Sequence, residues 1–458
     1  MKEHLTEQAT LFASVFKWSC YATVVGILVG CGTAIFISTL NWATKHSTTV
    51  EYYYFILPVS ILASTALVRW LAPDAAGHGT EKVIEAVHNK MGKISTSVVP
   101  VKLISTVITI STGGSAGKEG PAAQIGAGLA SALADLLRVN DIDRRKLVIC
   151  GISAGFATVF GTPVAGAIFG VEVLVLGQMF YDVLFPCFVA GIVGYHVALN
   201  LGCTYPAQLL PSIPVFSGWN LIEIILLGVW CGLAALILIE TMKLGERSFG
   251  KLRWHWSLKA IFGGILLISI GFFVSPSYLG LGLDTLSKSI NGEFLPAGSL
   301  FWKSIATSIT LGSGGSGGIV TPIFFVGTSA GNLFARLFSP EYLSAYSAIG
   351  MVAVLAGAAN TPIAASVMAI ELFGSHLAPY SALACMVSFL IAGYRSIFPS
   401  QILGMQKSGS LEAPTGKPIS ELGDVILKTD GKVFIANWKK AASKKWLLRL
   451  NTKKQNKD

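Results

Sequence analysis

Long apolar blocks separated by short polar connections run through most of this 458-residue chain. Several stretches run for twenty residues or more without Asp, Glu, Lys or Arg, among them Trp18 to Thr44, Leu147 to Val171, Ala260 to Leu283, Ser304 to Ala335 and Tyr342 to Ile370. A helix needs about 20 predominantly apolar residues to cross a bilayer. A soluble helix would instead show one apolar stripe with a 3.6-residue period. The pattern therefore predicts an all-α polytopic membrane protein. Composition agrees: 13% of residues are charged, against about 25% in soluble domains.

The blocks are broken by glycine and proline. Glycines cluster at Gly113, Gly114, Gly117 and Gly120, and again at Gly312, Gly314, Gly315, Gly317 and Gly318. In hydrocarbon every backbone polar group needs a partner, so broken helix survives only where protein or a water-filled cavity covers it. Paired breaks in two halves of a transporter point to a substrate site near the midplane.

The two breaks correspond. Gly113-Gly114-Ser115-Ala116-Gly117-Lys118-Glu119-Gly120-Pro121 and Gly314-Gly315-Ser316-Gly317-Gly318-Ile319-Val320-Thr321-Pro322 both read G-G-S-[AG]-G-x-x-x-P. Each is followed by a further glycine, Gly126 and Gly327. A second pair comes later in each half: Pro163 leads to Glu172 and Pro362 to Glu371, with the glutamate nine residues beyond the proline in both. Two motifs recurring in the same order about 200 residues apart indicate an internal duplication. Whether the copies are parallel or inverted is not readable from the repeat.

A helix N-terminus exposes unpaired N–H groups and carries roughly half a positive charge, which makes it an anion site. Glycine lets the backbone approach an ion, and proline in the first turn wastes no donor. The runs around Lys118, Gly120, Ile319 and Val320 have this form. Amides hold an anion more weakly than a full Lys or Arg charge, and conduction requires that it leave again. Glu119 sits inside the first run; an ionised carboxylate there competes with an anion, and a protonated one yields. The alternative is a helix-capping glutamate at a surface turn. Lys118 reads equally as an electrostatic lure or as a lysine snorkelling to the interface. The Gly117-Lys118 pair is no nucleotide loop, since Thr112 and Glu119 stand where glycine and Ser/Thr are required.

Other features narrow the class. The polar start carries no signal-peptide pattern. The net charge of +10 owes much to the segment after Lys428, a basic tail that reads as cytoplasmic and lacks a nucleic-acid module. The seven cysteines form no CxxC pair and read as buried packing residues, including Cys20, Cys31, Cys150, Cys231 and Cys385. The seven histidines show no metal or nucleophile–base spacing, so neither a metal, a cofactor nor an intramembrane enzyme is expected.

At these residues the chain resembles the CLC family of chloride channels and proton-coupled chloride antiporters. Gly117-Lys118-Glu119-Gly120-Pro121 with Gln124, Ile125 and Gly126 resembles the family's signature with its gating glutamate. Gly318-Ile319-Val320-Thr321-Pro322 resembles the second pore motif, G-x-F-x-P, with Val320 in place of phenylalanine. The resemblance spans roughly residues 15 to 405. It implies two inverted repeats of tilted, partly broken helices, chloride as the transported ligand, and a homodimer with one pore per subunit. It further implies an inner-membrane protein of prokaryotic type with both termini cytoplasmic. The expected division is a segment 1–16, a transport domain 17–405 with repeats at about 17–200 and 218–405, and a basic tail 406–458.

Three departures from the family's pattern bear on mechanism. The first pore motif, G-S-G-x-P, has its counterpart in Gly77-His78-Gly79-Thr80-Glu81, so His78 replaces the anion-facing serine. Its imidazole either donates to an anion or points aside. Phe398 stands where the family often has a tyrosine facing the anion, which implies an apolar inner gate. Val173 stands where well-studied antiporters carry an internal proton-accepting glutamate. Valine relays no proton, so the chain leans towards an uncoupled chloride channel gated by Glu119. A chloride/proton or fluoride/proton antiporter is the alternative. Glu172 and Glu371, kept in both repeats, read as structural carboxylates accepting backbone hydrogen bonds.

Overall fold

The computed structural model describes residues 2–428 except 206–209, 211, 214–217 and 424. Sixteen α-helices lie among the described residues, in two sets of eight with matching order. The first set is α1 Lys2–Ser47, α2 Leu57–Leu71, α3 Thr80–Asn89, α4 Val98–Ser111, α5 Glu119–Leu136, α6 Asp141–Phe160, α7 Pro163–Glu172 and α8 Tyr181–Asn200. The second is α9 Gly218–Lys251, α10 Trp256–Phe273, α11 Leu283–Ile290, α12 Ser299–Gly312, α13 Val320–Phe338, α14 Leu343–Ala359, α15 Pro362–Phe373 and α16 Ala378–Ile391.

Among the described residues, six helical segments are long and apolar enough to cross a membrane: Thr6–Ser47, Tyr53–Leu71, Tyr181–Asn200, Gly218–Lys251, Trp256–Phe273 and Pro340–Ala359. Others are too short. The 10 residues of α7 extend only about 15 Å at 1.5 Å per residue, half the hydrocarbon thickness. The breaks have local causes that repeat in both halves. Helix α6 ends at Gly161, with φ 72°, and α7 starts at Pro163; α14 ends at Asn360, with φ 56°, and α15 starts at Pro362. A left-handed residue stops the helix, and proline restarts it where its missing N–H costs nothing.

The central helices are packed through small residues. A Cβ added to Gly126 would lie 2.3 Å from the Gly151 carbonyl oxygen, and one added to Gly327 would lie 2.4 Å from that of Gly350. The crossings α5/α6 and α13/α14 are thus the same contact, made twice. Helices α5 and α13 meet at their N-termini and run away from one another, the arrangement of an inverted repeat. Their buried faces leave the large apolar side chains of α1, α2, α9 and α10, such as Ile35, Val59, Leu226 and Phe272, exposed on the outside.

After α16 the chain folds back, pairing Ile402–Leu403 in parallel with Val175–Leu176 just beyond α7. Leu411–Glu412 then pairs antiparallel with Ile426–Leu427. The basic tail beyond Lys428, with its apolar patch at Val433 to Trp438, lies outside the described residues. Among the cysteines, Cys150, Cys187, Cys203, Cys231 and Cys385 are buried, while Cys31 is half-buried. Cys20 corrects the expectation of burial: it is exposed, on a stretch of α1 whose neighbours Phe16 and Val24 are exposed too.

Candidate functional site

The site begins with two glycine turns that hold each other. Gly113 and Gly314 adopt φ 104° and 106°, a conformation open to glycine and strained for other residues. Beyond them the chains touch: Gly117 N–H donates to the Gly318 carbonyl at 2.7 Å, and Gly318 N–H donates to the Gly117 carbonyl at 2.6 Å. Each turn is also gripped by hydroxyls of the opposite half. Ser115 N–H donates to Thr310 Oγ1 at 3.0 Å, and its hydroxyl lies 3.0 Å from that of Thr307. Ser316 N–H donates to Thr109 Oγ1 at 3.2 Å, and its hydroxyl receives that of Ser105 at 3.0 Å. These buried hydroxyls satisfy backbone that no regular helix could satisfy.

Helices α5 and α13 start from this junction. The N–H groups of Lys118, Glu119, Gly120, Ile319 and Val320 have no protein acceptor among the described residues. Glu119 is 3% exposed, and its carboxylate crosses to the other half. It accepts the Thr321 N–H at 2.9 Å and the Thr321 hydroxyl at 2.7 and 2.6 Å. Glu119 therefore caps a helix, but in the centre of the protein and not at a surface turn. In the second repeat Val320 takes its place, so the two-fold junction holds a single acid. Gly117 has no room for a side chain there, since a Cβ would lie 2.6 Å from Glu119 Oε2.

A third turn closes in from α3. Gly77 and Gly79 have φ 75° and 69°, and a Cβ on Gly120 would lie 2.3 Å from the His78 carbonyl oxygen. The His78 ring is buried, its Nδ1 without a protein partner among the described residues. It faces Phe398, ring centroids 5.9 Å apart. Phe398 is fully buried, and its N–H donates to Ser396 Oγ at 3.0 Å. Glu119, Gly120, Ile319, Val320, His78 and Phe398 thus lie along one line of contacts, while Lys118 is half-buried and its side chain makes no hydrogen bond or ion pair among the described residues. Val173 packs in the apolar core, with its carbonyl accepting Gln401 Nε2 at 2.8 Å.

Two supports escaped the sequence reading. Lys102 and Lys303 are fully buried. Lys102 Nζ donates to the carbonyls of Ala75 and Gly77 at 3.0 and 2.7 Å. Lys303 Nζ donates to those of Tyr278 and Gly280 at 3.3 and 2.7 Å. Each ammonium ties down the turn preceding a short helix. The signal was a lysine inside an apolar segment, at the same distance before the glycine run in both halves. The glutamates Glu172 and Glu371 are reciprocal. Glu172 accepts the N–H groups of Ile363 and Ala364 at 3.1 and 2.8 Å, and Glu371 those of Val164 and Ala165 at 3.0 and 2.7 Å. Both carboxylates accept backbone hydrogen bonds, as the sequence led one to expect.

Unpaired amides on converging helix ends suit a dehydrated anion that must also depart. Comparison with known proteins points the same way. Residues 59–393 match the family described as voltage gated chloride channel. A chloride/fluoride channel protein of Pseudomonas syringae pv. tomato is 37% identical over 412 residues, 88% of this chain and 90% of the relative. An H(+)/Cl(-) exchange transporter ClcA of Klebsiella pneumoniae is 25% identical over 381 residues, 77% of this chain and 80% of the relative. The crystal structure of a CLC-type fluoride/proton antiporter superposes with TM-score 0.80 at 25% identity, over 84% of this chain and 98% of that one. Membership of a family of channels and transporters leaves the intramembrane-enzyme alternative without support. The chain belongs to the voltage-gated chloride channel family, the CLC proteins.

Proposed function

We propose that this protein carries small halide ions, chloride and fluoride, through the junction of α5, α13 and α3, with Glu119 as its gate and His78 and Phe398 as its inner constriction. The observation that carries the reading is the seat of the Glu119 carboxylate, on the Thr321 N–H at the start of α13. An anion moving along the free amides of Ile319 and Val320 must compete with that carboxylate. Fluoride enters beside chloride because of the relative named a chloride/fluoride channel protein and because of His78. Its imidazole N–H offers a donor where related motifs have a serine hydroxyl.

Proton-coupled exchange is the second reading, and one feature favours it. Glu119 occupies the helix end itself, so anion and ionised carboxylate exclude one another there. A proton carried on Glu119 as the anion passes then couples the two movements with no acid at Val173. The fluoride/proton antiporter and the H(+)/Cl(-) exchanger among similar proteins support it equally with the channel reading. We further infer a homodimer in the cytoplasmic membrane, with both termini inside; no cofactor enters the reading.

Proteoliposomes loaded with chloride or fluoride test this. Both ions are expected to leave when the membrane potential is clamped, and trapped halide would end the proposal. Under an outward chloride or fluoride gradient, uphill proton uptake selects the exchanger and its absence the channel. His78→Ser is expected to shift the fluoride-to-chloride rate ratio towards chloride; an unchanged ratio would remove His78 from ion selection.

A further inference from the structure

Behind the Phe398 ring, α3 reaches across to the turn that carries it. Glu81 is the second residue of α3. Its Oε1 accepts the Ser400 N–H at 2.9 Å and the Ser400 hydroxyl as well. Ser400 lies two residues beyond Phe398, and Glu81 three beyond His78. The turn leading into α3 therefore presents the ring that faces Phe398, and the first turn of α3 holds the chain just past Phe398. Oε2 of Glu81 is buried with no hydrogen-bond partner among the described residues, which leaves Ser400 as the carboxylate's one hydrogen-bonded anchor. Its place in the first turn, where the helix end is positive, makes the acid tolerable there.

The other side of the turn is fixed by Gln401, which is fully buried. Its Nε2 donates to the carbonyls of Val173 and Ala359, both at 2.8 Å. Its Oε1 receives Asn360 Nδ2 at 3.2 Å and the Ser396 hydroxyl at 2.5 Å. Both donors and both acceptor positions of the amide are used, so the turn is bound to the ends of α7 and α14. With that side immobile, the distance from His78 to Phe398 depends on two ties: Lys102 holds the His78 turn through the Gly77 carbonyl, and the clasp to Ser400 joins the start of α3 to the Phe398 turn itself.

We propose that Glu81 is a specificity-determining residue, acting through Ser400 to keep the gap between His78 and Phe398 narrow enough for fluoride and chloride and too narrow for larger anions. The proposal rests on the reading of His78 and Phe398 as the inner constriction. Nothing in the glycine signature or the Glu119 seat requires an acid at this position, so the clasp is a separate device.

The test is efflux of chloride and iodide from proteoliposomes holding the full-length protein. Glu81→Ala, which removes both hydrogen bonds to Ser400, is expected to raise the iodide-to-chloride rate ratio about fivefold or more. Glu81→Gln, whose amide oxygen still accepts the Ser400 N–H, recovers most of the discrimination that alanine loses. Phe398→Ala raises the ratio too, and the double variant gives no more than the larger single effect. If Phe398→Ala leaves the ratio alone, the constriction itself is misplaced. If Phe398→Ala moves the ratio and Glu81→Ala does not, or if the two effects multiply, the clasp is overturned. Should Glu81→Ala fail to give monodisperse protein, Ser400→Ala deletes the hydroxyl half of the clasp and must move the ratio in the same direction; a wild-type ratio there also overturns it.

Discussion

Glu119→Gln is expected to transport halide at neutral pH as fast as the unaltered protein does in acid, and its rate is expected to stop following pH. The carboxylate takes both donors of Thr321, the N–H at 2.9 Å and the hydroxyl shared between its two oxygens at 2.7 and 2.6 Å. Bonds to an ionised acceptor are about twice as strong as neutral ones. Protonation removes the charge that makes this seat strong and that repels an arriving anion. Flux in the unaltered protein should therefore rise as pH falls, because the stabilised blocking form is the ionised one. The amide imitates the protonated acid at every pH. A difference of about 1.5–3 kcal/mol for a bond to a charged group is roughly a tenfold or larger rate difference at high pH. Chloride and fluoride efflux measured from acid to alkaline pH checks this. A glutamine variant that keeps the parent's pH profile would show that Glu119 caps α13 without gating anything.

Much of the site could be read before any coordinates, and the reasons are physical. A glycine run in an apolar block signals broken helix because hydrocarbon tolerates nothing else. Repetition of that run with its trailing proline identified both ends of the junction. The partners could not be read. Thr321, which holds Glu119, is an ordinary threonine in the sequence, and its role appears only once the two halves are folded face to face. The clasp between Glu81 and Ser400 joins residues 319 positions apart, a separation at which no local pattern survives. Lys102 and Lys303 were legible in principle, as ionisable residues inside apolar segments, but their carbonyl partners lie in turns of irregular backbone. Repetition also said nothing about orientation, since parallel and inverted copies share one sequence pattern. The end-to-end meeting of α5 and α13 supplies it.

Glu172→Leu is expected to cost more stability than any other single change considered, and to do so without touching the anion path. Helices α7 and α15 are half-length, so their N-terminal N–H groups need partners from within the protein. Each helix lends the other a carboxylate from its own last turn. Glu172 takes the amides of Ile363 and Ala364, and Glu371 takes those of Val164 and Ala165. Leucine at 172 leaves two donors unpaired, the Ala364 N–H buried and the Ile363 N–H part-buried. At about 1.5–3 kcal/mol for each bond to a charged acceptor, the loss is about 3–6 kcal/mol, against a total stability of about 5–15 kcal/mol for typical proteins. Glu172 is 7% exposed, whereas Glu371 is half-buried, so solvent can replace part of what Glu371→Leu removes and its loss should be smaller. Glu172→Gln keeps one acceptor oxygen and should fall between. Thermal unfolding in detergent, followed by loss of monodisperse protein, ranks the three; the folded fraction of each should keep the parent's pH response. If Glu172→Leu instead unfolds at the parent's temperature and loses only proton movement or pH response, the carboxylate belongs to a proton path, and the exchange of caps between α7 and α15 is not what keeps it there.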